Sequence, residues 1–264
     1  LGLFQSDHDL DIMGDLSDEA GCNQLEKDAK IKTGGTTSES EAGDEDDRIY
    51  YCIHGGYCSD PELVRKHLDS GVLEKLIKEK EAKLLAIPDP KKYEWHDPCY
   101  VYVLLGACTM TLGCQLPDSY ISMLKKVYRE GGLMPDAQKQ MHKALFGPAG
   151  YQNGVPYDFR SKSLVETANS TTGQPNSSGF IGMNVIGPGG FFNTGMGDST
   201  TSEIIKELRS KHDKPGACGN CGIENGQDGR ALLNCSRCKN RKYCSKECQK
   251  KHWKVHKKVC DSVG

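Results

Sequence analysis

Long hydrophobic runs and secretory signals are both missing from this sequence. No stretch of about 18 apolar residues occurs, which argues against a membrane-spanning helix. The first residues carry neither the basic cluster nor the apolar segment of a signal peptide. We therefore expect a soluble intracellular protein, in the nucleus or the cytoplasm, without a membrane partner.

Recognisable catalytic motifs are missing as well. Residues 1–160 contain no P-loop, no GxSxG elbow and no HExxH pair. The cluster CIHGGYC (52–58) gathers two cysteines and a histidine, but the sequence identifies no partner for them. The opening DHDLDIMGD resembles a calcium loop, yet Ile12 stands where that loop requires glycine. The sequence thus predicts that the protein is not an enzyme; the alternative is an enzyme of unknown class whose site lies in residues 1–160.

Cysteine, in contrast, is abundant and unevenly distributed. Seven of the 13 cysteines fall in the last 47 residues, mostly in close pairs. In a chain without a secretory signal such clusters indicate metal sites rather than disulfides. The other six are scattered without a CxxC pair, and we expect them to be small buried apolar side chains. They are Cys22, Cys52, Cys58, Cys99, Cys108 and Cys114.

The net charge of −2 conceals an asymmetry between two parts of the chain. Residues 214–264 carry a formal charge of +8, and the remainder carries −10. We therefore predict two differently charged regions, an α-rich domain over 1–160 and a basic C-terminal module over 214–264.

The N-terminal domain is predicted to be mainly helical, with a solvated acidic loop at about 36–48. Residues 59–86 have helical periodicity interrupted at Gly71, which indicates two helices or one kinked helix. Residues 99–114 are apolar on nearly all sides, which favours a buried central helix but leaves a strand open. Two further helices are predicted in LPDSYISMLKKVYREGG and MPDAQKQMHKALFGPAG.

A linker is predicted over 161–202. Of the 36 residues in 167–202, 25 are Gly, Pro, Ser, Thr or Asn, a composition typical of flexible segments. Six large apolar residues in 180–192 interrupt this composition, and they indicate either an arm that docks on the helical domain or a short recognition segment. A short helix then follows over 203–213, with a T-x-x-E capping box that begins at Thr200.

The last 47 residues contain the pattern that bears chemistry. Potential ligands between 218 and 260 follow the order C-x2-C, C-x2-C, C-x3-C and H-x3-C. Two intervening residues suit a tight turn, and three suit positions i and i+4 of a helix, so each pair can reach one tetrahedral ion. Eight ligands make two closed sites of four, and cysteine-rich sites of this kind suit Zn²⁺. The sequence predicts two structural zinc ions per chain.

At these residues the sequence resembles the MYND zinc finger, down to the ending YCSKECQKKHWKVHKKVC. The resemblance implies a small β-hairpin followed by a helix, with two metals bound in a cross-braced order. It assigns Cys218, Cys221, Cys244 and Cys248 to one zinc, and Cys235, Cys238, His256 and Cys260 to the other. His252 lies four residues before His256, but the family pattern selects His256, which makes His252 a surface residue. The N-terminal residues weakly resemble uncharacterised domains that precede MYND fingers in fungal proteins.

Nucleic acid is one candidate partner, because the module is rich in lysine. Bound thiolates and two zinc ions lower its formal charge from +8 to about +5. Nothing in the module resembles the helix spacing with which classical zinc fingers read bases. The sequence therefore argues against sequence-specific DNA binding and leaves weak nonspecific binding as an alternative.

Peptides are the second candidate partner. The resemblance implies an adaptor that docks short proline-containing segments of partner proteins, often of PxLxP type, beside the β-hairpin. The matching positions are Ser236, Gln249 and Trp253. Trp253 is either part of this groove or a member of a small satellite core. The chain shows no sign of the methyltransferase motifs into which some MYND fingers are inserted.

Overall fold

A computed structural model describes residues 2–22, 24–25, 60–89, 96–161, 202–226 and 229–261. Three sequence predictions lie outside these residues: the acidic loop at 36–48, the CIHGGYC cluster (52–58), and all but residues 161 and 202 of the linker, with its apolar arm.

The described residues form eight α-helices and one small β-hairpin. The helices are α1 (Asp7–Glu19), α2 (Pro61–His67), α3 (Leu73–Leu85), α4 (Pro98–Leu112), α5 (Asp118–Val127), α6 (Pro135–Phe146), α7 (Glu203–Asp213) and α8 (Lys246–His256). The strands are β1 (Leu233–Asn234) and β2 (Lys242–Tyr243), which pair antiparallel. The predicted fold class is confirmed for these residues: a mainly helical N-terminal region and a cysteine-rich module with a short hairpin and a helix.

Helix α4 is the centre of the helical domain. It begins after Asp97, whose carboxylate accepts from the backbone N–H groups of Cys99 and Tyr100, and nearly all of its residues are buried. A helix buried on every side needs an apolar surface all round, which explains the uninterrupted apolar run. The chain leaves α4 through Gly113 at φ 71°, where an added Cβ would lie 2.5 Å from the Pro156 ring. The strand that the sequence left open is thus ruled out.

The segment after Asp60 forms one kinked path, one of the two predicted alternatives. Asp60 caps α2, and Pro61 occupies the first helical position. A π-helical turn (Leu68–Val72) connects α2 to α3, with Gly71 at φ 110°. Only glycine adopts this φ readily, so Gly71 allows the chain to bend without breaking the helical path.

Helix α1 occupies the segment that resembles a calcium loop. Ser6 caps it by accepting from the backbone N–H of Asp9, and the chain is helical from Asp7 onward. Asp9 is buried and accepts a 2.5 Å hydrogen bond from the Tyr100 hydroxyl. The acidic side chains therefore do not form the loop that calcium requires, in agreement with the argument from Ile12.

Helix α7 is integrated in the helical domain through one of its faces. Ile204, Ile205 and Leu208 belong to the main apolar core, and the Arg209 Nε donates to the Leu84 carbonyl at 2.9 Å. The prediction of a cap at Thr200 is wrong, because Ser202 accepts from the Ile205 N–H instead. The Ser202 hydroxyl also donates to Glu130, so this cap is itself fixed to the helical domain.

Four of the six scattered cysteines confirm the prediction that they are buried. Cys22, Cys99, Cys108 and Cys114 have no exposed surface, while Cys52 and Cys58 lie outside the described residues. Among the described helices, none combines the length and apolar character needed to cross a membrane.

Candidate metal centre

Two tight turns present the first two cysteine pairs. The Cys218 carbonyl accepts from the Gly222 N–H, and the Cys218 N–H donates to the Ile223 carbonyl. The turn at Cys235 is closed by the Lys239 N–H, with Lys239 in the left-handed region at φ 58°. The C-x2-C spacing thus forms the turns that were predicted from it.

Helix α8 presents the remaining ligands. Ser245 caps the helix by accepting from the Cys248 N–H, which leaves Cys244 just before the first turn and Cys248 within it. His256 ends the helix, and Cys260 follows the turn after it. The expectation that the C-x3-C pair occupies positions i and i+4 of one helix is therefore wrong, because Cys244 precedes the cap and only Cys248 is helical. The extended backbone at Ser245 nevertheless leaves the Cys244 and Cys248 sulfurs 3.3 Å apart.

The first cluster consists of the predicted ligands of one zinc: Cys218, Cys221, Cys244 and Cys248. Its sulfur–sulfur distances are 3.6 Å for Cys221–Cys244, 3.3 Å for Cys244–Cys248 and 4.0 Å for Cys248–Cys221. A zinc ion with tetrahedral bonds of about 2.3 Å separates its sulfur ligands by about 3.8 Å. The cluster therefore has the dimensions of a tetrahedral zinc site.

The second cluster consists of Cys235, Cys238, His256 and Cys260. The Cys235 and Cys260 sulfurs are 3.9 Å apart, and the Cys238 sulfur lies 3.5 Å from the His256 Nε2. Ideal zinc bonds to sulfur and nitrogen place these ligand types about 3.6 Å apart. Here too the donor set and its spacing fit Zn²⁺, and His256 Nε2 is the nitrogen that faces the sulfurs.

The two clusters differ in burial. All four ligands of the second cluster are buried, whereas in the first Cys221 is exposed and Cys244 and Cys248 are partly exposed. The first cluster therefore meets solvent, and the second lies against the rest of the protein.

The two turns also favour the thiolate form of Cys218 and Cys235, which are the first cysteines of the two C-x2-C pairs. Burial opposes ionisation of Cys218, but backbone N–H groups directed at its sulfur lower its pKa to about 6. Cys235 has the same arrangement, with burial opposed by the N–H groups of Cys238 and Arg237, and its pKa is also lowered to about 6. Since zinc binds thiolate, these donors prepare the turn for the metal.

A buried glutamate outside the module contacts the second cluster. The Glu207 carboxylate is 3.1 Å from the His256 Nδ1, 3.3 Å from the His252 Nε2 and 3.1 Å from the Arg241 Nη2. Burial raises its pKa, but hydrogen bonds from the two histidines and the charge of Arg241 lower it to about 2. Glu207 is therefore ionised, and its charge is compensated by groups of the module.

Sequence reasoning missed this network. The prediction that His252 is a surface residue is wrong, because its side chain is only 13% exposed and also lies 3.2 Å from the Tyr243 hydroxyl. No spacing rule connects Glu207 to the ligands, since α7 precedes the module. No sequence signal singles out Arg241, because it is one of 12 Lys or Arg residues in 214–264.

The positions predicted for peptide contact lie together. Ser236, Gln249 and Trp253 line one groove of about 310 Å³, together with Cys235, Arg237 and Lys250. Trp253 is 37% exposed and is not among the buried residues of the module's core. The structure thus places it at the groove rather than in a satellite core.

The helical domain offers a different kind of surface. A polar groove of about 370 Å³ is lined by charged side chains of α2 and of the π-helical turn, and by residues of the loops after α4. The rings of His8 and His96 lie 4.9 Å apart, and the His8 ring also lies 4.9 Å from the ring of the buried Tyr100.

Residues 217–260 match the family model of the MYND finger. The match contains all eight ligands, and we call residues 217–260 the finger from here on. With its two four-ligand clusters, the finger fits two zinc ions and is a zinc-binding protein-interaction module. No solved structure matches the chain.

Proposed function

We propose that this chain is an adaptor rather than an enzyme, and that its finger docks short proline-containing segments of partner proteins. The groove at Trp253 is the observation that supports this most. It combines a half-exposed indole with the polar side chains of Ser236 and Gln249, which suits a peptide with one apolar anchor.

The hairpin supplies a second argument. Strand β2 is flanked on one side by β1 and on the other by the bridge at Cys218. Among the described residues, the outer edge of β1 has no partner strand, and Leu233 on that strand is 45% exposed. An extended peptide can therefore add main-chain hydrogen bonds at β1 while its side chains reach the groove.

The test is binding of a fluorescent PxLxP peptide to the zinc-loaded full chain, compared with the same peptide with alanine at both prolines and the leucine. Trp253→Ala should weaken binding by about 30-fold, the effect of losing a 2 kcal/mol anchor, while both zincs stay bound. Lys254→Ala is the matched control, because Lys254 is exposed on the same helix and does not line the groove.

Equal affinity of both peptides, or no effect of Trp253→Ala, would reject peptide docking at this groove. Binding of duplex DNA that falls steeply with added salt would instead support the nonspecific nucleic-acid alternative, because such binding depends on counterion release.

A further inference from the structure

Helix α7 contacts both parts of the molecule with opposite faces. Ile205 and Leu208 are buried in the core of the helical domain, whereas Glu207, only 2% exposed, faces the finger. Glu207 lies outside the matched residues 217–260, so no pattern within the finger includes it. A helix that cannot turn without exposing its apolar side chains holds this carboxylate in a fixed place.

Glu207 contacts His256 through the ring nitrogen that does not face the sulfurs of the second cluster. The His256 Nε2 faces the Cys238 sulfur at 3.5 Å, and the Nδ1 of the same ring lies 3.1 Å from the Glu207 Oε1. When Nε2 binds the metal, Nδ1 must carry the proton, and it donates that proton to the carboxylate. Such a hydrogen bond orients the ring and makes the imidazole a stronger ligand.

The other carboxylate oxygen is also held. The Glu207 Oε2 accepts from the Arg241 Nη2 at 3.1 Å, and the same nitrogen donates to the Ser210 hydroxyl at 2.8 Å. Arg241 is 1% exposed and lies in the finger, just before β2. The ion pair therefore fixes the carboxylate in the orientation that His256 requires.

Glu207, His252 and His256 also lie close enough together to suggest a third metal site. Two contacts argue against it. The guanidinium of Arg241 already neutralises the carboxylate, and a cation there would be repelled by it. His256, in addition, has its Nε2 among the sulfurs of the second cluster. The three side chains form a hydrogen-bond network behind a zinc ligand.

We propose that Glu207 is a positioning residue for the second zinc, and that α7 thereby couples the metal affinity of the finger to the folding of the helical domain. The first cluster has no contact with Glu207 among the described residues, so the coupling is confined to one of the two metals.

The test compares Glu207→Gln with wild type in the full chain. Glutamine keeps the volume of the side chain but removes its charge and its full strength as an acceptor. We expect zinc affinity at the second site to fall by about 10- to 100-fold in competition with a chromophoric chelator, with the first site unchanged. Glu203→Gln is the matched control, since Glu203 is exposed on the same helix and, among the residues the structure describes, pairs only with Lys206.

Cobalt substitution identifies which site is affected. A site of four sulfurs and a site of three sulfurs and one nitrogen have different absorption spectra, so titration of cobalt into the variant shows which metal is weakened. Selective loss of the three-sulfur signal supports the proposal. Equal weakening of both sites, or of neither, would contradict it and leave Glu207 a packing residue.

A second measurement does not depend on a variant that folds. Long-range proton–nitrogen NMR correlations of the zinc-loaded wild type report which His256 nitrogen carries the proton. The proposal requires protonated Nδ1 and metal-bound Nε2, with the Nδ1 proton protected from exchange. The reverse arrangement would overturn it.

Discussion

The helical domain and the finger fill their interiors with different chemistry. Around α4 the buried side chains are mainly aliphatic and aromatic, and this core also includes Leu3, the apolar face of α7 and Val259. In the finger the buried cluster consists of Tyr243 and four cysteines, all four of them zinc ligands. The first region can therefore fold by burying apolar surface, whereas the second has little to bury except the atoms that bind metal.

Helix α7 and residues 259–261 join these two regions. Val259, immediately before the last ligand, belongs to the core of the helical domain, and the Lys126 ammonium pairs with Asp261 at 2.5 Å. The finger therefore depends on zinc to fill its interior, and on the helical domain for the contacts that hold it in place.

The largest effect should come from breaking the finger's interior. Cys235→Ala removes a ligand of the second zinc, and the free energy at stake is that of a structural zinc, about 10–16 kcal/mol. We expect one zinc to be lost and the finger to unfold while most helical circular dichroism remains. Elemental analysis and far-ultraviolet spectra measure this directly. His256→Ala should behave alike, and retention of two zincs by either variant would show that the ligand assignment is wrong.

A cavity in the helical domain should have the reverse effect. Leu105 is fully buried in α4, so Leu105→Ala should lower the free energy of unfolding of the helical domain by about 2–5 kcal/mol. The melting temperature should fall accordingly. Both zincs should remain bound at 25 °C. Ile87→Ala is the control, because Ile87 is 65% exposed and its loss should cost less than about 0.5 kcal/mol. Equal effects of the two substitutions would mean that α4 is not the core.

The contact between α7 and the finger can be disturbed by a substitution at Gly219. An added Cβ there would lie 2.5 Å from the Arg241 Nε and 2.9 Å from the His252 Nδ1. Gly219→Ala should therefore displace the groups that hold Glu207 and destabilise the finger by about 1–3 kcal/mol. Gly216→Ala provides the comparison, since nothing lies within 4 Å of its added Cβ. Chemical denaturation monitored by zinc release should distinguish the two, and identical curves would refute the crowding at Gly219.

The smallest effect should be a difference in rate between the two metals. Cys221 of the first cluster is exposed, and all ligands of the second are buried, so a chelator should reach the first zinc sooner. Stopped-flow absorbance with a chromophoric chelator should show two phases. Release in a single phase would mean that burial does not separate the sites.

How much could be read from the sequence depended on the range of the interaction. The C-x2-C turns were predictable because such a turn is decided by a few neighbouring residues. The kink at Gly71 and the helices after Pro117 and Met134 were predictable for the same reason. The helical geometry expected for the C-x3-C and H-x3-C pairs was not, since Cys244 lies before α8 and Cys260 after it. For 99–114 periodicity alone could not distinguish a buried helix from a strand, because both are apolar throughout.

By itself, therefore, the sequence determined the eight ligands, the metal they suit and the helical character of the first domain. Only the tertiary structure decided the environment of His252, the position of Trp253 at a groove, and the contact between Glu207 and His256. The contacts of His252 and His256 depend on which face of α7 packs in the helical core, and the Glu207–His256 contact joins residues 49 positions apart in the chain. The groove at Trp253 depends on how α8 lies beside the turn at Cys235, which no local pattern determines.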